Sequence, residues 1–384
     1  MAGTLGAFYE FFAGAGMARA GLGERWRCLF ANDFDQKKAA TYRLNWGRDN
    51  FVCGDVREVT TSDLPQLADL VWASFPCQDL SLAGGGAGLK GERSGTFWPF
   101  WDLMTKLVAD GREPSMIVLE NVCGTLTSHS GTDFTAICQS LSKGGYRFGA
   151  LIVDAVLFVP QSRPRLFIIA LRRDVDVPET LTGDGPEGDF HPRRLRTAYR
   201  KLPKALQEDW IWWRLDPPPP RDIGFADLVE DEPSGVAWHT SEETRALLAM
   251  MSDLNLRKVR AAERADRRVV GTIYKRTRRD EVGRKVQRAE VRFDDIAGCL
   301  RTPAGGSSRQ LVLVVHGRSV RSRLISSRET ARLVGLPDEY VLPDNYNEAY
   351  HLTGDGVVVP VVRFLAAKLL EPILLHLTRE RDAA

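Results

Sequence analysis

Strand-length apolar runs separated by helix-length stretches fill the first 175 residues, and this alternation constrains the fold more than any other feature. Ala7–Phe12, Cys28–Ala31, Phe51–Cys53, Leu70–Ala73 and Met116–Leu119 are each too short for a buried helix. Ala150–Val156 and Leu166–Leu171 form a later pair, with Pro160–Pro164 between them. Strands that alternate with helices predict an α/β fold built on a parallel sheet. From about residue 176 to 235 the pattern stops and proline, glycine and acid dominate, with Pro217–Pro220 as a run. A helical stretch near Ser241–Leu256 follows, then a basic segment. Regularity returns with a short helix over Arg328–Leu333 and a long amphipathic helix over Val357–Leu377, with Pro360 in its first turn.

The ends of the predicted strands carry the chemistry. After the first comes the turn Phe12-Ala13-Gly14-Ala15-Gly16-Met17, whose glycines let a ligand approach the backbone. A dinucleotide fold wants a third glycine where Arg19 stands, which disfavours NAD. Asp33-Phe34 ends the second strand and Gly54-Asp55 the third. An acid suits ribose hydroxyls, an aromatic suits stacking on a base, and a second acid can accept from an exocyclic amine. Together they frame a crevice for a nucleoside without phosphates, a description that S-adenosylmethionine fits. The fourth strand ends in Ser74-Phe75-Pro76-Cys77-Gln78 and runs into the glycine-rich Ser81–Gly88. A cysteine at a strand end, held by proline and followed by a mobile cover, is the arrangement expected of a nucleophile. Glu120-Asn121-Val122 ends the fifth strand. A carboxylate beside a thiol raises the thiol pKa, so it is out of place in a protease and suits gripping a substrate ring. In Gln161-Ser162-Arg163-Pro164-Arg165 two arginines are expected on one strand face, where they favour a thiolate and can donate to a carbonyl oxygen.

The net charge of +2 hides an asymmetry: between Leu256 and Arg292 there are 14 Lys and Arg against 5 Asp and Glu. The run is interleaved with Ile273 and Tyr274, which favours a polyanion partner over a merely solvated face. The six cysteines contain no C-x-x-C pair, so no metal site is expected and the thiols suit a reducing compartment. No secretory signal and no apolar run of spanning length is visible, which predicts a soluble, cytoplasmic protein. His129, His239 and Cys123 read as structural rather than catalytic.

These motifs, in this order, resemble the DNA cytosine-5 methyltransferase family, bacterial type. The resemblance runs through Phe8–Met17, Asn32–Asp35, Gly54–Val56, Phe75–Gln78, Glu120–Val122, Gln161–Arg165, Arg328–Asp338 and Gly354–Val361. It implies a Rossmann-like S-adenosylmethionine-dependent methyltransferase sheet over residues 1–175 plus 346–384. A smaller, irregular target recognition domain over 176–345 would bind double-stranded DNA. It implies catalysis by Cys77, Glu120, Arg163 and Arg165. The Cys77 thiolate attacks C6 of a flipped cytosine, Glu120 contacts N3 and the exocyclic amine, and Arg165 contacts O2 with Arg163 in support. Cofactor contacts are implied at Phe12, Gly14, Gly16, Asp33, Phe34, Asp55, Pro76, Asp355 and Val357. DNA contacts are implied at Gln78, Ser81, Arg276, Arg278, Arg279, Thr302 and Arg309. The 79–98 loop, with Lys90 and Arg93, is the natural lid. The chain departs from the family pattern at Asp355, usually asparagine, at Ala83, often serine, and at Met17, commonly glycine. A cognate restriction endonuclease encoded separately and a site of action at the bacterial nucleoid complete the expectation. A transfer-RNA cytosine-5 methyltransferase and a catalytically inactive DNA-binding regulator are the alternative readings.

Overall fold

The computed structural model describes residues 3–76, 89, 94–279, 282–301 and 309–383. The chain divides into two units, one of residues 1–154, 164–218 and 357–384, the other of residues 155–163 and 219–356. The units change near Pro218 and Gly356, whereas the resemblance implies boundaries at 175/176 and 345/346.

The first unit is built on a seven-stranded sheet in the order β3-β2-β1-β4-β5-β7-β6. Its strands are β1 Gly6–Phe11, β2 Trp26–Asp33, β3 Phe51–Cys53, β4 Leu70–Ala73, β5 Met116–Val122, β6 Tyr146–Asp154 and β7 Pro164–Arg172. Helices α1 Met17–Leu22, α2 Gln36–Trp46, α3 Phe97–Ala109 and α4 Thr132–Lys143 connect them. Strands β1 to β5 pair in parallel. Strand β4 is fully buried, as expected of a parallel strand covered on both faces. The expectation of a parallel sheet is corrected at β7, which pairs antiparallel with both β5 and β6. The link between β6 and β7 contains no crossover helix, and a parallel return needs one. The order reverses between β1 and its neighbours β2 and β4, so the carboxyl ends of these strands form the topological switch point where such sheets hold ligands.

Residues 173–218 stay with this unit, carrying the short pair β8 Thr182–Gly183 and β9 Trp212–Trp213 and helices α5 Arg193–Lys201 and α6 Lys204–Glu208. They cover the sheet with aromatics: Trp210 meets Phe148, Phe134 and Trp212 with ring centroids 5.4–6.3 Å apart.

The second unit holds α7 Phe225–Leu228, α8 Ser241–Ala249 and α9 Asp253–Arg264, a four-stranded antiparallel sheet, then α10 Ser327–Leu333 and α11 Tyr346–Asp355. The sheet order is β11-β10-β12-β13, from β10 Val269–Arg279, β11 Lys285–Arg292, β12 Leu311–His316 and β13 Ser319–Leu324. The single helix expected over Ser241–Leu256 is two, because Met251 leaves helical geometry to bridge Ala289. Helix α10 starts with a capping box, Ser326 and Glu329 exchanging bonds with each other's backbone N–H. Glu329 also takes the guanidinium of Arg323 at 2.6 and 2.7 Å, both side chains fully buried. Arg323→Met strands that carboxylate without its partner and is expected to destabilise the protein by ~3–5 kcal/mol, readable as a fall in the urea midpoint.

The chain then returns to the first unit through α12 Val359–Leu365, a π-helical turn over Ala366–Leu370, and α13 Glu371–Ala383. Pro360 sits in the first turn as expected. Helix α12 packs so closely on α1 that a Cβ added at Gly21 would lie 2.7 Å from the Val359 carbonyl oxygen and 2.8 Å from Val362 Cγ1. Gly21→Ala is therefore expected to cost ~1–3 kcal/mol by overpacking, although alanine is the better helix former. Leu374 of α13 covers Gly6, placing the C-terminal helices beside β1. Among the described residues no helix is long and apolar enough to cross a membrane.

Candidate active site

The turn after β1 is strained. Phe12 has φ 57°, a left-handed conformation that non-glycine residues rarely adopt outside functional sites. Gly16, with φ 81°, starts α1, and a Cβ there would lie 2.7 Å from Trp46 Cδ1 and 2.9 Å from Tyr42 Cε2. Trp46 Nε1 donates to the Ala15 carbonyl at 3.0 Å, so the ring both forbids a side chain at Gly16 and braces the turn. Gly14 N–H donates to Asp33 Oδ2 and Asp35 N–H to Oδ1, each at 2.8 Å. Asp33, 7% exposed, thus ties the ends of β1 and β2 together. Burial raises its pKa, opposed by Lys38 and by those two amides. Each oxygen keeps a second lone pair for a hydroxyl.

Phe34 follows with 68% of its surface exposed, an apolar ring standing at the rim of the switch point. Asp55 stands two residues beyond β3, its Oδ1 taking the Arg57 N–H at 2.9 Å and its Oδ2 the Arg57 guanidinium at 3.0 Å. Buried Asn32 donates to the carbonyls of Val52 and Gly54, at 3.2 and 2.9 Å, which holds that strand end in place. The glycine turn, the Asp33 lone pairs and the bare Phe34 ring fit an adenosine moiety.

Glu10, inside the apolar run of β1, had no role in the sequence reading. It is 1% exposed, and one carboxyl oxygen has no hydrogen-bond partner. Burial pushes its pKa up to about 8, against the pull of Arg19 and of the Arg19 and Ala18 backbone. The folded protein keeps this proton up to about pH 8, whereas an unfolded chain releases it near 4.5. More protons bound when folded means stability falls as pH rises across that window and is level above it. Glu10→Gln is expected to remove the slope, gaining on the wild type between pH 5.5 and 8.5 in urea midpoints. Parallel curves would contradict the assignment.

Strand β4 delivers its end rigidly. Trp72 Nε1 donates to Ser74 Oγ at 3.1 Å, and Asn121 Nδ2, from β5, donates to the Phe75 carbonyl at 3.0 Å. Asn121 Oδ1 accepts from Val122 N–H at 2.8 Å and Thr125 Oγ1 at 3.2 Å, so this buried amide is locked. The described chain stops at Pro76. Cys77, Gln78, Ser81, Lys90, Arg93 and Thr302 lie outside the described residues.

Glu120 and Arg165 do come together. Glu120 lies in β5 opposite Phe167, and Arg165 lies two residues along β7, opposite Val122. A diagonal pair on one sheet face is within reach of long side chains, and Arg165 Nε stands 3.4 Å from Glu120 Oε1. Both side chains are largely buried, at 16% and 9% exposure. Cys123 stands nearby, and burial raises its thiol pKa despite Arg194 and Arg165, which fits a packing role. His129 pairs with Asp133 at 2.9 Å and His239 with Ser322 at 2.9 Å.

Arg163 departs from the expectation of a shared strand face with Arg165. It precedes β7, belongs to the second unit and is 2% exposed. Its guanidinium donates to the carbonyls of Leu300, Gly354 and Gly356. Asp355 is exposed at the end of α11, and Val357 is buried. Arg276, Arg278 and Arg279 lie exposed on β10, the first two bridged to Glu290 at 3.4 and 2.5 Å. Arg309 donates to Asn347 and lies over the Tyr346 ring.

The family model of the C-5 cytosine-specific DNA methylases matches residues 6–371. The chain is 24% identical over 375 residues to the Type II methyltransferase M.BsuFI of Bacillus subtilis, covering 96% of this chain and 73% of that one. It is 25% identical to the Type II methyltransferase M.HpaII of Haemophilus parainfluenzae, covering 95% and 89%. The fold is similar to that of the Entamoeba histolytica methyltransferase EhMeth, with a TM-score of 0.62 at 13% identity over 97% and 98% of the two chains. With the motifs running unbroken from the glycine turn to the C-terminal helices, the chain belongs to the C-5 cytosine-specific DNA methylase family, enzymes that use S-adenosylmethionine as methyl donor.

Proposed function

We propose that this chain methylates C5 of a cytosine flipped out of a specific duplex DNA sequence, through a covalent bond between Cys77 and C6. The observation that carries the reading is the buried Glu120–Arg165 pair, joined through Asn121 to the carbonyl two residues before Cys77. Such a pair presents an acid and a fork of donors along one edge of a planar ring, matching N3 with the exocyclic amine and O2 of cytosine. That edge is engaged inside a duplex, so the base must leave the stack at a cost of a few kcal/mol.

The Cys77 thiolate adds to C6, and the C5=C6 electrons move onto C5 while Glu120 and Arg165 offset the charge spread over N3 and O2. S-adenosylmethionine, when bound, supplies the methyl group that C5 takes up; Phe12, Gly14, Gly16, Asp33, Phe34 and Asp55 would hold it, with Pro76, Asp355 and Val357 at the edge. Loss of the C5 proton then expels the thiolate, restoring the ring double bond and the free cysteine. An unperturbed thiol is about a tenth thiolate near pH 7.5, so activating Cys77 is worth at most about tenfold. Most of the acceleration must come from the pair and from positioning.

We read the second unit as the target recognition domain, with Arg276, Arg278, Arg279 and Arg309 toward DNA. The Type II relatives make a separately encoded restriction endonuclease, acting with this enzyme at the nucleoid, the natural companion. The test is methyl transfer from labelled S-adenosylmethionine to duplex DNA and to transfer RNA. Incorporation into duplex cytosines is expected, and incorporation into transfer RNA alone would overturn the reading.

A further inference from the structure

At the end of helix α11 the Gly356 N–H donates to the Leu352 carbonyl at 3.1 Å, and no left-handed cap follows to close the later carbonyls. Its C-cap, Gly356, is extended at φ −67°, ψ 153° instead of left-handed. The cap comes from far away in sequence. Arg163 Nη2 donates to the Gly354 carbonyl at 2.9 Å and to the Gly356 carbonyl at 2.8 Å, the two flanking Asp355. Nη1 donates to the Leu300 carbonyl at 3.0 Å and to Cys299 Sγ at 3.3 Å. Gln161, fully buried, steadies the same point by accepting from the Leu300 N–H at 3.1 Å and donating to the Leu333 carbonyl at 2.7 Å. A cation at the carbonyl end of a helix is also favoured by the helix dipole.

Arg163 immediately precedes Pro164, where β7 begins and Arg165 follows. We propose that Arg163 is a positioning residue that fixes the Gly354-Asp355-Gly356 turn for the cofactor. This rests on the reading above that Asp355 borders the cofactor. A guanidinium is needed because its planar fork reaches two pairs of acceptors at once, and an ammonium on a flexible stem has no such fork.

The test is calorimetric binding of S-adenosylhomocysteine to the DNA-free full-length protein. Arg163→Lys is expected to weaken binding roughly tenfold, the loss of a charge-assisted bond or two, and Arg163→Met to weaken it further. Arg323→Met, which destabilises the same unit without breaking any hydrogen bond of Arg163, serves as the comparison and is expected to leave cofactor affinity unchanged. Arg163→Lys that binds like the wild type while only its unfolding midpoint falls would overturn the proposal and leave Arg163 a purely structural residue. A wild-type protein that binds no S-adenosylhomocysteine would sink the cofactor reading itself, and the positioning role with it.

Discussion

Cys77→Ser is expected to lower methyl transfer to duplex DNA by on the order of 10³-fold or more in single-turnover assays with labelled cofactor. A serine hydroxyl is hardly ionised at neutral pH, so it offers C6 no comparable nucleophile. Two of the described thiols are held protonated by burial, which raises the pKa of Cys123 and pushes that of Cys28 up to about 11. Cofactor affinity is expected to hold, because the crevice is built from the ends of β1, β2 and β3. A variant that keeps more than about a tenth of the rate would contradict the role given to Cys77.

Glu120→Gln is expected to cost about 10²–10⁴-fold in the chemical step, the usual worth of a positioned acid. Glutamine keeps the volume and an acceptor for Arg165 but can neither carry the charge nor give up a proton. Arg165→Leu is expected to cost a similar factor. The two side chains form one ion pair at 3.4 Å, so they act as a unit and the double variant should lose far less than the product of the single losses. Additive losses would mean that the ion pair does not couple their action on the ring. Because the pair is largely buried, each single variant should also unfold at lower urea concentration, so rates are compared where all variants are folded.

Local pattern carried the elements well where one physical cause acts alone. Strand β4 begins and ends where its apolar run does, because a strand covered on both faces has no polar position to blur its limits. Strand direction has no such signature. The antiparallel β7 follows from a link too short for a crossover helix, a cue present in Leu157–Arg163. The spacing of Arg163 and Arg165 suggested a common face, but alternation applies only within a strand, and Arg163 lies before the strand begins.

Residues whose roles depend on partners far along the chain were invisible for that reason. Asn121 reaches back to Phe75, Asn32 forward to Gly54, and Glu10 is buried beneath α1. The signal that draws attention to Glu10 is a lone carboxylate inside an otherwise apolar strand, since acids are rarely fully buried. From sequence Asp33 suits ribose hydroxyls, and the structure adds a local duty, binding two backbone amides. The change of unit at Pro218 escaped composition because residues 176–218, though rich in proline and acid, bury Trp210, Trp212 and Trp213 against the first unit.

The most direct test of the account is whether Cys77 becomes covalently attached to a pyrimidine during turnover. Duplex DNA carrying 5-fluorocytosine at the methylated position blocks the final step, because fluorine replaces the proton that must leave before the thiolate is expelled. With S-adenosylmethionine present, the account predicts a denaturation-resistant protein–DNA adduct that peptide mass spectrometry maps to Cys77 and that Cys77→Ser does not form. An active protein that forms no adduct, or one attached elsewhere, would contradict it.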